Sequence, residues 1–334
     1  MATEKYAIDF DSVRTNIYKA GSGLVLSEPT VAAVADGGRG EVKAIGADAY
    51  KLVGKTGSGT KMVFPVFEGE IVNERVACEV LSGFLKKTYA SGFSGAFALF
   101  SVPCGVTADM VEKLTRVAKR SGIGRVCFAE SPLLSALGQR IPVNDSDPCF
   151  VIDMGGGTTS IAALSLDGII AGVSVNFGGN KINTDLIDYI AENYGMQIGL
   201  QSAERIKKEV GSLEESDTLT TVVNGRDLRE GTPRAFSVKA SDMFYPVKRY
   251  YDKIAEIALN LLRKLPPEVS SEIRRSGVYV SGAPSAVYGL KRYYEQVFDV
   301  KVNVAEDGLY ANALGGGMAI SNPSLLKKIT ISTR

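Results

Sequence analysis

The run Asp153-Met154-Gly155-Gly156-Gly157-Thr158-Thr159-Ser160 sets a carboxylate beside three adjacent glycines and a row of hydroxyls. It lies between the apolar segments Phe150-Val151-Ile152 and Ile161-Ala162-Ala163-Leu164. That order predicts a strand, a glycine-rich turn and a second strand. Adjacent glycines let backbone N–H groups turn toward an anion that bulkier side chains would exclude, and Thr158 and Thr159 add hydroxyl donors. Asp153, at the end of a buried strand, is a poor phosphate ligand by itself. It suits a hydrated Mg²⁺, which keeps most of its waters and is met through one or two carboxylates plus phosphate oxygens. The competing reading is an ordinary glycine-rich hairpin turn.

The pattern has a partner near the N-terminus. Ala7-Ile8-Asp9-Phe10-Asp11-Ser12 is followed by Thr15-Asn16-Ile17-Tyr18, a turn at Gly21-Ser22-Gly23 and a third apolar run, Leu24-Val25-Leu26. After Asp153 the same order returns, with Ile161 to Leu166, the turn Asp167-Gly168 and Ile169 to Val175. Two copies of one unit predict duplicated domains whose turns face each other across a cleft, with a nucleotide phosphate as the natural content.

The 334 residues are too many for one ordinary core and suit two domains, and a 45% hydrophobic content allows a large interior. The balance of 38 basic and 37 acidic residues gives no basic field for nucleic acid. Histidine is absent, which excludes Ser-His-Asp triads and histidine metal sites. Cys78, Cys104, Cys127 and Cys149 lack metal spacing and read as reduced core residues of a cytosolic protein. No run approaches the ~18 apolar residues of a membrane span, and Met1 to Lys5 lacks a signal-peptide core.

Along the chain, helices are predicted over Ala47 to Val53, Asn73 to Lys87, Thr107 to Ser121, Ser131 to Leu137, Thr184 to Tyr194 and Ser202 to Val210. Further helices are predicted over Tyr245 to Lys264, Val287 to Val297 and Gly308 to Ile320. Strands are predicted at Ala96 to Val102, Val126 to Phe128 and Val278 to Val280, and at Thr218 to Val223 and Ala235 to Val238 around a turn at Asn224-Gly225. Gly54-Lys55-Thr56 lacks the earlier glycine and the leading strand of a P-loop. Gly315-Gly316-Gly317 predicts a close backbone approach.

In this order the segments resemble the actin/Hsp70/hexokinase superfamily, most closely bacterial actins of the MreB family. Besides Asp153 to Thr159, the likeness rests on Leu26-Ser27-Glu28-Pro29-Thr30-Val31, Val102-Pro103-Cys104-Gly105-Val106-Thr107, Ala203-Glu204-Arg205-Ile206-Lys207 with Gly211-Ser212, and Val304-Ala305-Glu306-Asp307 with Ala313-Leu314-Gly315. It implies an α/β, actin-like (ribonuclease H-like, duplicated) fold of two domains and four subdomains around a central nucleotide cleft. Residues 1–150 would form the first domain, with a small insert over 31–74 and a C-terminal helix over 314–334 returning to it. Residues 151–313 would form the second, with an insert over 182–244. The likeness further implies ATP or ADP with Mg²⁺, self-assembly into protofilaments, and a cytoplasmic position at the inner face of the cell membrane with membrane adaptors.

By the same resemblance, Asp153 and Asp9 would meet Mg²⁺ through water. Gly155, Gly156, Gly157 and Thr158 would cradle the outer phosphates opposite Ser12, Val13, Arg14 and Thr15. Gly178 and Gly179 would approach from behind. Glu204 and Lys207, at i,i+3 with Arg205 and Lys208 beside them, would meet ribose and adenine, although such a run is also typical of a solvated helix face. Gly282, Ala283, Pro284, Ser285 and Ala286 would lie against the adenosine. Phe93, in Gly92-Phe93-Ser94-Gly95, would be a membrane wedge or else pack onto its own domain.

Three positions depart from the family pattern. Asp11 stands where relatives have glycine, a second charge beside phosphates that Mg²⁺ or Arg14 would have to offset. Ser131 replaces the water-positioning glutamate, with Glu130 one place earlier as the only candidate substitute, and a serine without an adjacent base is no general base at neutral pH. Asn183 replaces an aspartate, and Lys181 adds a positive charge. The expectation is an ATP-binding filament protein of cell shape or scaffolding with slow or lost hydrolysis, or a non-hydrolysing paralogue that tunes other MreB-type filaments. A nucleotide-gated chaperone and a sugar kinase on the same fold fit less well, for want of a long substrate-binding extension and of a sugar pocket.

Overall fold

The computed structural model describes residues 4–37, 40–88 and 95–331. Two five-stranded sheets dominate it, and their topology is the same. The first runs Ile123–Glu130, Ala96–Val102, Lys5–Phe10, Arg14–Lys19, Gly23–Pro29. The second runs Val302–Val304, Val278–Ser281, Cys149–Met154, Thr159–Ser165, Gly168–Val175. In each, three consecutive strands pair antiparallel and the remaining two are added in parallel to the first of them. Asp9 and Asp153 are both the penultimate residue of their strand, so each carboxylate leaves the sheet just before its turn.

Each sheet has its own apolar core. Tyr6, Ile8, Ile17, Phe100 and Phe128 pack with the helix Glu74–Thr88 in the first, and Phe150, Ile152, Ile161, Tyr250, Tyr251 and Tyr294 pack with the helices Gly179–Tyr194 and Ala240–Leu262 in the second. A third core joins the two. Ala7 and Leu99 from the first sheet and Val151, Ala162 and Leu164 from the second close on Leu133, Leu134, Leu137, Ala319 and Ile320. The last five lie on the helices Ser131–Gly138 and Ala311–Ser321, which pack back to back between the sheets. The glycines permit this: a Cβ on Gly315 would lie 1.8 Å from the Leu134 carbonyl oxygen, and one on Gly138 would lie 2.0 Å from that of Ala311. Beyond these helices the chain returns to the first sheet, where the Ile331 N–H donates to Phe128 O at 2.9 Å.

A small sheet rides on each large one: Val42–Ile45, Ala32–Ala35 and Thr60–Val63 above the first, and Met196–Gln197, Thr220–Asp227 and Pro233–Lys239 above the second. The two halves touch across the cleft mouth, where Gln201 Nε2 donates to the Tyr50 carbonyl at 2.7 Å.

Several boundaries differ from the sequence reading. Asn224-Gly225 is not a turn. It lies inside the strand Thr220–Asp227, with Gly225 paired to Arg234, and a Cβ on Gly225 would come 2.9 Å from Gln197 O, so this glycine serves strand contact. The chain reverses after Asp227, whose Oδ1 accepts the N–H groups of Arg229 and Glu230. The long helix begins at Ala240, not Tyr245, and holds Pro246 within it. The helix expected from Val287 starts at Leu290, after a short 3₁₀ turn at Ala283–Ala286. None of the described helices is long and apolar enough to cross a membrane. The expected wedge Phe93 lies outside the described residues.

Gly315→Ala should force the two central helices apart, because the obstructing atom is backbone. The expected loss is about 1–3 kcal/mol or more in thermal or chemical denaturation. Gly57→Ala, where a Cβ meets nothing within 4 Å, should change stability by less than about 0.5 kcal/mol.

Candidate nucleotide cleft

The two turns meet face to face. On the second-domain side, Gly155 N–H donates to Thr158 O at 2.8 Å and closes a tight bend. On the first-domain side, Asp11 N–H donates to Arg14 O at 3.3 Å. The bends approach so closely that a Cβ on Gly156 would lie 2.3 Å from Val13 Cγ2, and one on Gly157 would lie 2.3 Å from Ser12 Oγ. A third segment enters at Glu68-Gly69, where Gly69 N–H donates to Ser12 Oγ at 3.2 Å and the Thr158 methyl fills the space a Gly69 side chain would need. Gly178 and Gly179 back the second bend. Gly179 N–H donates to Gly155 O at 3.0 Å and Asn180 N–H to Gly156 O at 2.9 Å, so the start of this helix is tied to the bend itself.

The acidic residues converge on this contact. Asp153 accepts from Ser281 Oγ and from Asn312 Nδ2, each at 3.0 Å, and the Ser131 hydroxyl beside it favours its charged form. Its withdrawal from bulk water raises its pKa, and those three donors pull against that. Asp9 is pushed well above its ordinary value, first by loss of hydration and then by the charges of Asp11 and Asp153, with Asn16 and Ser101 pulling the other way. Asp11 is raised by the same loss of hydration, while backbone N–H groups from Ser12, Gly156, Gly157 and Val13 hold it back.

Farther along the cleft, Glu204 and Lys207 pair at 2.6 Å on the half-buried face of the helix Leu200–Val210. Burial works to raise Glu204, but Lys207, Asn183 and Lys208 outweigh it and hold the carboxyl at about 2. Burial lowers Lys207 against the pull of Glu204. Lys207 Nζ also donates to Gly179 O at 3.3 Å, and Asn183 Nδ2 to Glu204 Oε2 at 2.9 Å, so this helix is fastened to the one behind the glycine bend. Asn183 Oδ1 is buried and has no partner. The segment Gly282–Ala286 is held by Ser285 Oγ donating to Gly282 O at 2.7 Å, and Pro284 packs beside Gly179.

Other expected residues point elsewhere. Arg14 donates to Ser27 O at 2.9 Å, so the offset to Asp11 comes from backbone N–H groups rather than from this guanidinium. Thr15 is fully buried with its hydroxyl 2.9 Å from that of Thr30. Arg205 pairs along its own helix with Glu209. Lys208 reaches Glu204 from an exposed position. Lys181 pairs with Asp185. Glu130 accepts from Gly105 N–H at 2.7 Å and sits beside Cys104, whose thiol is pushed up to about 12 by burial and by that carboxylate. Asn312, Ser281 and the Glu68-Gly69 bend were not singled out in the sequence. They reach the site only through tertiary packing, and none stands in a motif.

The fold and the paired bends are those of an actin-like protein, and comparison with known proteins agrees. A sequence model described as "MreB/Mbl protein" matches residues 3–328. The cell shape-determining protein MreB of Escherichia coli (strain K12) is 32% identical over 326 residues, covering 96% of this chain and 94% of that protein. The crystal structure of MreB 5 of Spiroplasma citri bound to AMPPNP superposes with a TM-score of 0.92 at 28% identity, covering 98% of each chain. MamK, solved as a double helical filament, shares the fold with a TM-score of 0.81 at 17% identity, over 96% of this chain and 99% of that one. The chain belongs to the MreB/Mbl family.

The raised carboxylates carry a pH signature. A group whose folded pKa lies above its unfolded value adds stability that is fully present below the unfolded pKa, about 3.9 for aspartate, and is lost as pH rises through the folded value. Nucleotide- and metal-free protein should therefore carry a penalty from Asp9 at pH 7. Asp9→Asn should melt higher than the parent at pH 7, by about 2–4 °C for each kcal/mol recovered, and the gap should close toward pH 4. Differential scanning calorimetry across this range checks it, and an Asp9→Asn variant that melts lower at pH 7 contradicts it.

Proposed function

We propose that this chain is a nucleotide-binding, filament-forming cytoskeletal protein of cell shape or scaffolding. ATP or ADP occupies the cleft between the bends at 11–15 and 155–158, and Mg²⁺ is met by Asp9 and Asp153 through water. The observation that carries the reading is the close facing of the two glycine-lined backbone bends, with two strand-end carboxylates beside them. Among the described residues no set of three or more His, Cys, Asp or Glu side chains could hold a metal, so a cation here would take its remaining ligands from water and phosphate. Mg²⁺ would supply charge neutralisation among the three aspartates. Glu204 and Lys207 would face ribose and base, with Asn183 holding Glu204 in place from behind. Nucleotide-bound S. citri MreB5 and the MamK filament support the nucleotide and self-assembly parts of this reading.

Hydrolysis is slow or absent in this account. Ser131 stands beside Asp153 and carries no carboxylate to orient an attacking water, and Glu130 Oε1 is held by Gly105 N–H, so neither replaces the water-positioning glutamate. The same two features favour a second role, as a non-hydrolysing paralogue within filaments of another MreB-type protein. The chain would lie at the inner face of the membrane, with adaptors, and Phe93 would contribute about 2–3 kcal/mol of burial, multiplied by filament avidity.

Sedimentation with Mg-ATP should pellet the protein as filaments, with phosphate release about 10²-fold or more below that of E. coli MreB under the same conditions. Ser131→Glu should raise release, by about tenfold or more if only the water-positioning group is missing. Wild-type release equal to that of E. coli MreB contradicts the reading, whereas pelleting only in the presence of E. coli MreB selects the paralogue. In liposome pelleting, Phe93→Ser should reduce recovery of assembled protein, and equal recovery ends the membrane-wedge role.

A further inference from the structure

The anion cradle between the two bends already has an occupant within the chain. Gly156 N–H donates to Asp11 Oδ2 at 2.8 Å, and the nearby backbone N–H groups of Ser12, Val13 and Gly157 favour the charge of the same carboxylate. Two of these donors belong to the first sheet's bend and two to the second's, so one side chain joins the two halves at the bottom of the cleft. A carboxylate with several backbone donors is charged, planar and acceptor-only, and backbone donors gathered in this way are what binds phosphate oxygens elsewhere. The cradle is also short of room. A Cβ on Gly156 would lie 2.9 Å from Asp11 Oδ2, and Val13 and Ser12 press on Gly156 and Gly157 from the same side. A terminal phosphate on these four donors would have to expel the carboxylate or share the space with it, and like charges at contact distance repel.

We propose that Asp11 is a built-in surrogate for the outermost phosphate of a nucleotide: it latches the two bends together without a triphosphate and makes the cleft select a nucleoside diphosphate. The selectivity rests on the nucleotide-cleft reading above, whereas the latch does not. In this arrangement Asp11 releases Gly156 and Gly157 only when a third phosphate takes its donors. Closure of the cleft is thereby uncoupled from the arrival of ATP.

Two measurements on the full-length protein separate the latch from the selectivity. In nucleotide-free protein, hydrogen exchange at Gly156 and Gly157 should be slow, and Asp11→Ala should speed it about tenfold or more, while Asp11→Asn, the same shape with weaker acceptors, should fall between. Unchanged exchange in Asp11→Ala overturns the latch. In calorimetric titration with Mg-ADP and Mg-ATP, the parent should bind the diphosphate at least about tenfold more tightly. Asp11→Asn and Asp11→Ala should bring the two affinities within about threefold of each other, chiefly by gaining ATP. A parent that prefers ATP, or an ADP preference that survives both substitutions, overturns the selectivity while leaving the nucleotide reading intact. Failure of parent and variants alike to bind either nucleotide overturns that reading and the selectivity together, and the exchange result then decides the latch alone. Circular dichroism and melting of Asp11→Asn confirm that any change arises in a folded protein.

Discussion

The contact between two backbone bends constrains everything else in this molecule. Gly156 and Gly157 lie against Val13 and Ser12 at a separation that leaves no place for a side chain on the glycines. Backbone N–H groups, the Asp11 carboxylate and the side chains of Ser12 and Val13 share the interface. Such an approach places donors from two domains around one point, and it also drives Asp9, Asp11 and Asp153 within reach of one another's charge. The site is therefore electrostatically tense by construction: each carboxylate loses hydration, and each is surrounded by hydroxyl, amide or backbone donors that offset part of that loss.

The architecture serves this contact. Two sheets of identical topology end their first strands at Asp9 and Asp153, and the central helix pair fixes how far apart those ends lie. Gly138 and Gly315 let the helices touch backbone to backbone, which gives the two halves a stiff common spine below the cleft. Above it the halves meet through the Gln201–Tyr50 bond and through the packing of the Glu68-Gly69 bend on Gly157 and Thr158. A spine below and light contacts above are the arrangement expected of a cleft that opens by rotation about its base.

The fold was legible because it repeats. Strand, glycine turn and strand recur at Asp9 and Asp153, and a duplication of that kind leaves few alternatives. Local chemistry misled where a residue served packing instead. Asn224-Gly225 reads as a hairpin turn, yet Gly225 sits in a strand because a neighbouring strand runs against it. Pro246 reads as a helix start, yet the helix begins at Ala240, with Asp242 in its first turn. At the site, the glycine run and the acidic strand ends were visible from sequence, whereas the use of each side chain was not. Arg14 looked like the cation beside Asp11, but it is drawn to Ser27 on the adjacent strand. Ser131 could be read as an absent glutamate, but its place beside Asp153 depends on a helix and a strand that only the tertiary fold brings together. Asn312 and Ser281, which hold the same carboxylate, carry no sequence signal for the same reason.

The account stands on one claim, that the facing bends are a phosphate cradle with a divalent cation at the two strand-end aspartates. A crystal structure of the protein grown with ADP and Mg²⁺ tests it most directly. The account predicts the ADP phosphates between the two bends, a hydrated Mg²⁺ between Asp9 and Asp153, and the adenosine between the helix Leu200–Val210 and the segment Gly282–Ala286. An ADP molecule bound elsewhere, or well-ordered bends at saturating ADP with no nucleotide between them, would contradict it.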